Sequence, residues 1–228
     1  MGDFIHHVCK NMTQITNNGF GKQRLSDKAY QRLRDGLIKL EFEPMEPLNE
    51  RALSQRLDMG LAPIREALRR LEQERLVTIY PRRGVFAAEI IITDQQSIKE
   101  IRYELEGLAA SLAATRGTRE ECQELMAIAE RLVQATESVD KLRGDADFRR
   151  HVYAMARNSF LQPVLEMHHN LAMRLWYFCR RQKTRADIGP MDYRPIAQAI
   201  TDGKADLARQ LLSDVVAEHS DLLRSMLV

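Results

Sequence analysis

The chain has 228 residues, 44% of them hydrophobic and 29% charged, with a formal net charge of +2. This composition excludes a largely disordered chain, a collagen-like fibre and a disulfide-stapled miniprotein, and at roughly 150 residues per domain the length suits one large or two small domains. Eleven glycines and seven prolines are few beside the abundant Leu, Ala, Arg and Glu, so a mainly α fold is expected.

Residues 1–21, rich in Asn, Thr and Gly, read as a flexible tail without a secretory cleavage pattern. A helix is predicted over about 26–40, with Ser26 as its N-cap and Tyr30, Leu33, Leu37 and Leu40 at helical spacing. After a connector at 43–47, Asn49 caps a short helix carrying Leu53 and Leu57. Asp58, Met59 and Gly60 form a tight turn. Pro63 sits in the first turn of the next helix, where a missing N–H costs nothing. That helix places Ile64, Ala67, Leu68 and Leu71 on an apolar stripe and Arg65, Arg69 and Gln73 on the opposite ridge. Residues 76–79 and 85–87 read as strands joined by the turn Pro81, Arg82, Arg83 and Gly84. Three short helices and a basic hairpin make a winged helix-turn-helix over 22–90. Its ridge and wing tip can reach base edges and phosphates. A ridge of this kind is also what an ordinary solvated helix face looks like; the Arg82–Arg83 tip is what favours duplex DNA.

Residues 93–228 carry only longer helical patterns and are expected to form an all-α bundle. Around 145–156 the apolar stripe is Phe148, Val152, Met155 and Ala156. At 100° per residue Asp145 and Arg149 fall within it, while Asp147 points away and His151 lies at the edge. His219 sits amid the apolar side of the last helix, with Leu212, Val216 and Leu223. Tyr193 shares a face with Ile196, Ala197 and Ile200. Arg102 flanks a stripe of Ile98, Leu105, Ala109 and Leu112. Arg102, Asp145, Arg149, Tyr193 and His219 therefore point inward. They form either an internal ion network, such as Asp145 with Arg149 at i, i+4, or the lining of a polar cavity. A cavity holding two guanidinium groups suits a small organic acid. His168, His169 and Trp176 are assigned to core and surface. Cys9, Cys122 and Cys179 lie far apart without a Cys-x-x-Cys pair and read as reduced thiols of a cytoplasmic protein. No apolar run approaches the roughly 18 residues of a membrane span.

The run from Pro63 to Glu72 (Pro-Ile-Arg-Glu-Ala-Leu-Arg-Arg-Leu-Glu) resembles the recognition helix of the GntR superfamily of bacterial transcription regulators. Leu48, Arg51, Leu53 and Leu57 resemble its preceding helix, and residues 81–84 its wing. Glu100, Arg102, Leu105 and Glu106, then Asp145, Phe148, Asn158 and His219, resemble the helical FCD effector domain of the FadR branch. The resemblance implies operator binding through Arg51, Leu61, Arg65, Arg69, Arg70, Arg82, Arg83 and Gly84. It also implies a homodimer and an effector site at Arg102, Asp145, Arg149, Tyr193 and His219. Two departures stand out. Gly60, Leu61 and Ala62 replace the usual Ser-Arg-Thr, so an arginine that reads guanine is missing and Leu61 is left to meet a thymine methyl. Many members also hold a divalent metal with one Asp and three His. Here Asp145 and His219 match, but Arg149 and Tyr193 take the two other positions, so no metal cofactor is expected.

The expectation is a DNA-binding, ligand-responsive transcription regulator and not an enzyme. The alternatives are a metal-dependent enzyme using Asp145 and His219, or a DNA-binding scaffold indifferent to any ligand.

Overall fold

A computed structural model describes residues 24–182 and 191–227; the tail expected at 1–21, with Cys9, lies outside them. Helix α1 spans Leu25–Ile38, α2 Glu50–Leu57 and α3 Leu61–Gln73. The start of α1 differs from expectation. Arg24 is the N-cap, its carbonyl accepting from the amides of Asp27 and Lys28, while Ser26 lies inside the first turn and is buried. The helix stops at Ile38, before Leu40, which takes a left-handed φ of 59°. Asn49 caps α2 as expected, its Oδ1 accepting from the amides of Arg51 and Ala52. Asp58 turns left-handed at φ 50°, and extended Gly60 then opens α3.

Strands β1 (Val77–Tyr80) and β2 (Gly84–Ala87) pair antiparallel, Val77 opposite Ala87 and Tyr80 opposite Gly84. Arg82 at φ 62° and Gly84 at φ 103° close the turn, and only glycine takes the second value without strain. The hairpin is fastened to the unit by the amide of Leu48 donating to the Val85 carbonyl and that of Met45 to Ala87. Leu33, Leu37, Leu53, Ile64, Leu68, Leu71 and Leu76 fill the core beneath it.

The helical unit comprises α4 (Asp94–Arg116), α5 (Arg119–Gln134), α6 (Ser138–Met155), α7 (Leu161–Gln182), α8 (Arg194–Thr201) and α9 (Ala205–Leu227). Thr118 and Glu121 form a capping box at α5, and Asn158 Oδ1 accepts from the amides of Phe160 and Leu161 where α7 begins. The most extensive packing is α4 on α9. It is close because α4 offers small residues: a Cβ on Gly107 would collide with Ser213 Oγ. Sequence periodicity misphased α4 for the same reason. Gln95, Arg102, Glu106, Gly107, Ala109, Ala110 and Ala113 form its buried face, and bulky Ile98, Leu105 and Leu112 are only half-buried.

The two units touch. Helix α1 packs on α7, and Ile38 and Leu171 each border the opposite core. Arg174 Nη2 of α7 donates to the Ala88 carbonyl at 2.6 Å, and Arg181 pairs with Glu43 at 2.6 Å.

Candidate functional site

Two arrangements of arginine organise the molecule. On the N-terminal unit the α3 stripe of Ile64, Ala67, Leu68 and Leu71 is buried, which turns Arg65, Arg69 and Gln73 outward, all exposed. Arg65 Nε reaches Glu50 at 2.6 Å, an exposed pair that releases easily to a competing anion. Arg82 and Arg83 project from the wing, and a groove of about 460 Å³ runs between Glu50 and Arg51 on α2 and Arg83 and Gly84 on the wing. Leu61 is half-buried at the head of α3. Arg70 is placed differently. It pairs with Asp27 at 2.7 Å and lies 4.0 Å over the Tyr30 ring, clamping α3 to α1. Tyr30 in turn donates to Glu74 at 2.7 Å. An exposed row of cations beside a basic wing tip can sit along a phosphate backbone while the ridge enters a groove.

The second arrangement lies inside the helical unit. Arg149, 0% exposed, is held by three residues. Its Nε donates to Asp145 at 2.9 Å, its Nη1 to Glu106, and its Nη2 to the Tyr193 hydroxyl at 3.3 Å. Its guanidinium also lies 5.8 Å from the Tyr193 ring centre. Arg102 Nε donates to the other Glu106 oxygen at 2.6 Å, and the Tyr193 hydroxyl donates to Asp145. Three of the five inward residues foreseen from periodicity, Asp145, Arg149 and Tyr193, thus meet directly, and Arg102 joins them through Glu106. His219 stands beside them, its ring centre 6.3 Å from Tyr193 and 6.4 Å from Trp176.

Burial governs the chemistry here. It raises the Asp145 carboxyl to about 6, against the opposing hydrogen bond from Tyr193. It holds the His219 imidazole at about 3, with the charges of Arg149 and Arg102 acting in the same direction. Burial pushes the Tyr193 phenol up as well, so it remains a donor.

Sequence reading missed two members. Glu106 pairs with both arginines; its place at i+4 from Arg102 was the available signal. His169 is 3% exposed, with Nε2 4.0 Å from Asp145 Oδ2, too far for a hydrogen bond, and neither ring nitrogen has a partner among the described residues.

A divalent ion does not fit this set. Asp145 Oδ1 is already engaged by Arg149 and Tyr193, and a permanent cation stands where a further donor would be needed. Beside Arg102, His219 and Trp176 there is a void of about 20 Å³, room for one water and not for an organic acid. Among the described residues no helix is long and apolar enough to cross a membrane.

A family model described as bacterial regulatory proteins, gntR family, matches residues 25–87, and one described as FCD domain matches residues 97–218. The Escherichia coli transcriptional repressor GlaR is 31% identical over 130 residues, 56% of this chain but only 59% of its own length. The Escherichia coli regulator McbR is 31% identical over 154 residues, 65% of this chain and 70% of its own. The solved structure of Escherichia coli McbR/YncC superposes with a TM-score of 0.76 at 22% identity, covering 91% of this chain and all of that one. A putative GntR regulator from Rhodococcus follows with 0.65 at 21%, covering 88% and 97%. At these identities the superpositions establish a common fold.

Proposed function

This chain belongs to the gntR family of bacterial regulatory proteins, carries an FCD domain and is a DNA-binding transcription regulator; from that premise we propose that a small carboxylate-bearing metabolite sets its affinity for an operator. The observation that carries the DNA half is the exposed ridge of Arg65, Arg69 and Gln73 beside the Arg82–Arg83 wing tip. On this reading α3 enters a major groove, with Arg65 and Arg69 on base edges and Leu61 against a thymine methyl. Arg51, Arg82, Arg83 and the Gly84 turn lie along the backbone. Arg70, held by Asp27 and Tyr30, serves to orient α3. Two copies of the chain, acting in the cytoplasm, read the half-sites of a palindrome.

The effector half starts from the buried cluster, where Arg102, Asp145, Arg149, Tyr193 and His219 collect polar groups from three helices and the cap of a fourth, and whose packing must open to admit an acid directly. With Asp145 ionised, two arginines face two carboxylates and the cluster is neutral. A guest carboxylate bound to either guanidinium must therefore displace Glu106 or arrive with a proton for Asp145, whose carboxyl titrates at about 6. Uptake of acid and proton together keeps charge balanced in a low-dielectric interior. The cluster offers no nucleophile with a base and an orienting partner, and the relatives are transcription regulators, which supports regulation over catalysis.

The tight packing around Arg102 favours a second reading, a scaffold whose DNA affinity ignores metabolites. Gel shifts of genomic fragments, with and without small organic acids, separate the two. The regulator reading expects a preferred fragment whose affinity moves with an acid; the scaffold reading expects one that does not move. Equal affinity for every fragment and for random duplex overturns both.

A further inference from the structure

Between α1 of the DNA-reading unit and the α6–α7 pair lies a cleft of about 310 Å³. Arg34, Ile38 and Lys39 form one wall, and Ala146, Tyr153 and Met173 belong to the other. Tyr153 and His169 line it at 1% and 3% exposure, and the Tyr153 hydroxyl and both His169 ring nitrogens lack hydrogen-bond partners among the described residues. Buried polar groups in folded proteins are nearly always partnered, so three unpartnered atoms on two residues that line one cleft mark where a guest's polar group would be answered once the cleft opens to them.

The charges around the cleft are unequal. Arg34 is paired with Asp35 at 2.8 Å and Arg150 with Asp147 at 3.5 Å, while Glu166 accepts from Gln162 at 2.8 Å. Lys39 and Arg143 make no ion pair among the described residues. Two unpaired cations against one carboxylate, Glu166, also without an ion pair among the described residues, therefore border a space walled by Ile38, Leu142, Ala146 and Met173, which leaves a net positive excess there.

We infer that this cleft binds a small monocarboxylate bearing a hydroxyl on a compact apolar body, with the carboxylate toward Lys39 and Arg143 and the hydroxyl against Tyr153 and His169. A neutral imidazole offers one donor and one acceptor, and a hydroxyl answers both. A second carboxylate is disfavoured there, because Asp145 Oδ2 lies only 4.0 Å from His169 Nε2. Since α1 supplies one wall, a guest in the cleft binds one relative placement of the two units better than others, which is how occupancy reaches the DNA-reading ridge. This site rests on the regulator reading and gives it a location for the effector outside the closed cluster.

The test is calorimetric titration of the full chain, without DNA, using 4-hydroxybenzoate and benzoate. The expected result is saturable binding below about 1 mM, with 4-hydroxybenzoate about tenfold tighter. Tyr153→Phe narrows that preference, Arg143→Gln weakens both acids about tenfold, and Ala146→Trp blocks both while the far-ultraviolet spectrum is kept. Silence of both acids at about 1 mM overturns the site, as does undiminished binding to Arg143→Gln. Binding that leaves the affinity for a preferred genomic fragment unchanged overturns the coupling and leaves the site. Failure to prefer any fragment overturns the regulator reading alone, since the titration contains no DNA.

Discussion

Arg69 and Arg83 stand in solvent with no partner among the described residues, while Arg149 is sealed between Glu106, Asp145 and Tyr193. The same side chain does opposite work in the two units. In the first its charge is left for a polyanion from outside. In the second it is spent on neighbours, and the cost of desolvation is offset only because two carboxylates were desolvated with it. Mutation should therefore change binding without stability in the first region and stability before binding in the second.

The largest expected effect breaks the second region. Glu106→Gln leaves Arg102 and Arg149 facing a single carboxylate, and urea unfolding should show a loss of about 3–5 kcal/mol in the helical unit. Next, Arg65→Ala or Arg69→Ala should weaken binding to a preferred operator by about 1–3 kcal/mol and relax its sequence preference, with the melting temperature unchanged. Loss of stability in these variants would erase the contrast.

The pH response sharpens it. His219 and His169 are held below the usual imidazole range by burial, so below about 6.5 the unfolded chain takes up their protons first and stability falls with acidification. Asp145 acts oppositely. Its folded value of about 6 lies above the unfolded value near 3.9, so the folded state takes the proton first, and its contribution to stability falls as pH rises from about 4 to about 6. Asp145→Asn removes that counterweight, and thermal melts between about pH 7 and pH 5 should lose stability more steeply than wild type.

Smaller effects follow. Arg70→Ala removes the stack on Tyr30 and the pair with Asp27. It should cost about 1 kcal/mol of stability while base preference is retained, marking it as the one arginine of α3 that behaves like the buried set. Arg83→Ala should weaken binding to all sequences alike and lower the salt slope by about 1, read from gel shifts at several ionic strengths.

How much was legible in sequence depended on residue size. The ridge of Arg65, Arg69 and Gln73 was readable because Ile64, Leu68 and Leu71 announce the opposite face unmistakably. Asp145 and Arg149 were readable because Phe148 and Val152 set the phase. Helix α4 was not: its packing surface is built from Gly107, Ala109, Ala110 and Ala113, whose lack of bulk admits α9, and bulk is what a hydrophobic pattern weighs. The same error pushed Arg102 to the flank and hid Glu106. His169 was invisible for a different reason, since its meaning comes from Asp145 on α6 and from α1, neither of them near it in sequence.

The bond from Arg174 to the Ala88 carbonyl has a mechanical consequence. Arg174 is five residues beyond His169 on the same rigid rod, about 7.5 Å along its axis, and Ala88 begins the strap leading out of the wing. A small rocking of that rod would be handed straight to the strap as a pull. The hairpin would be re-aimed without any rearrangement inside the three-helix head.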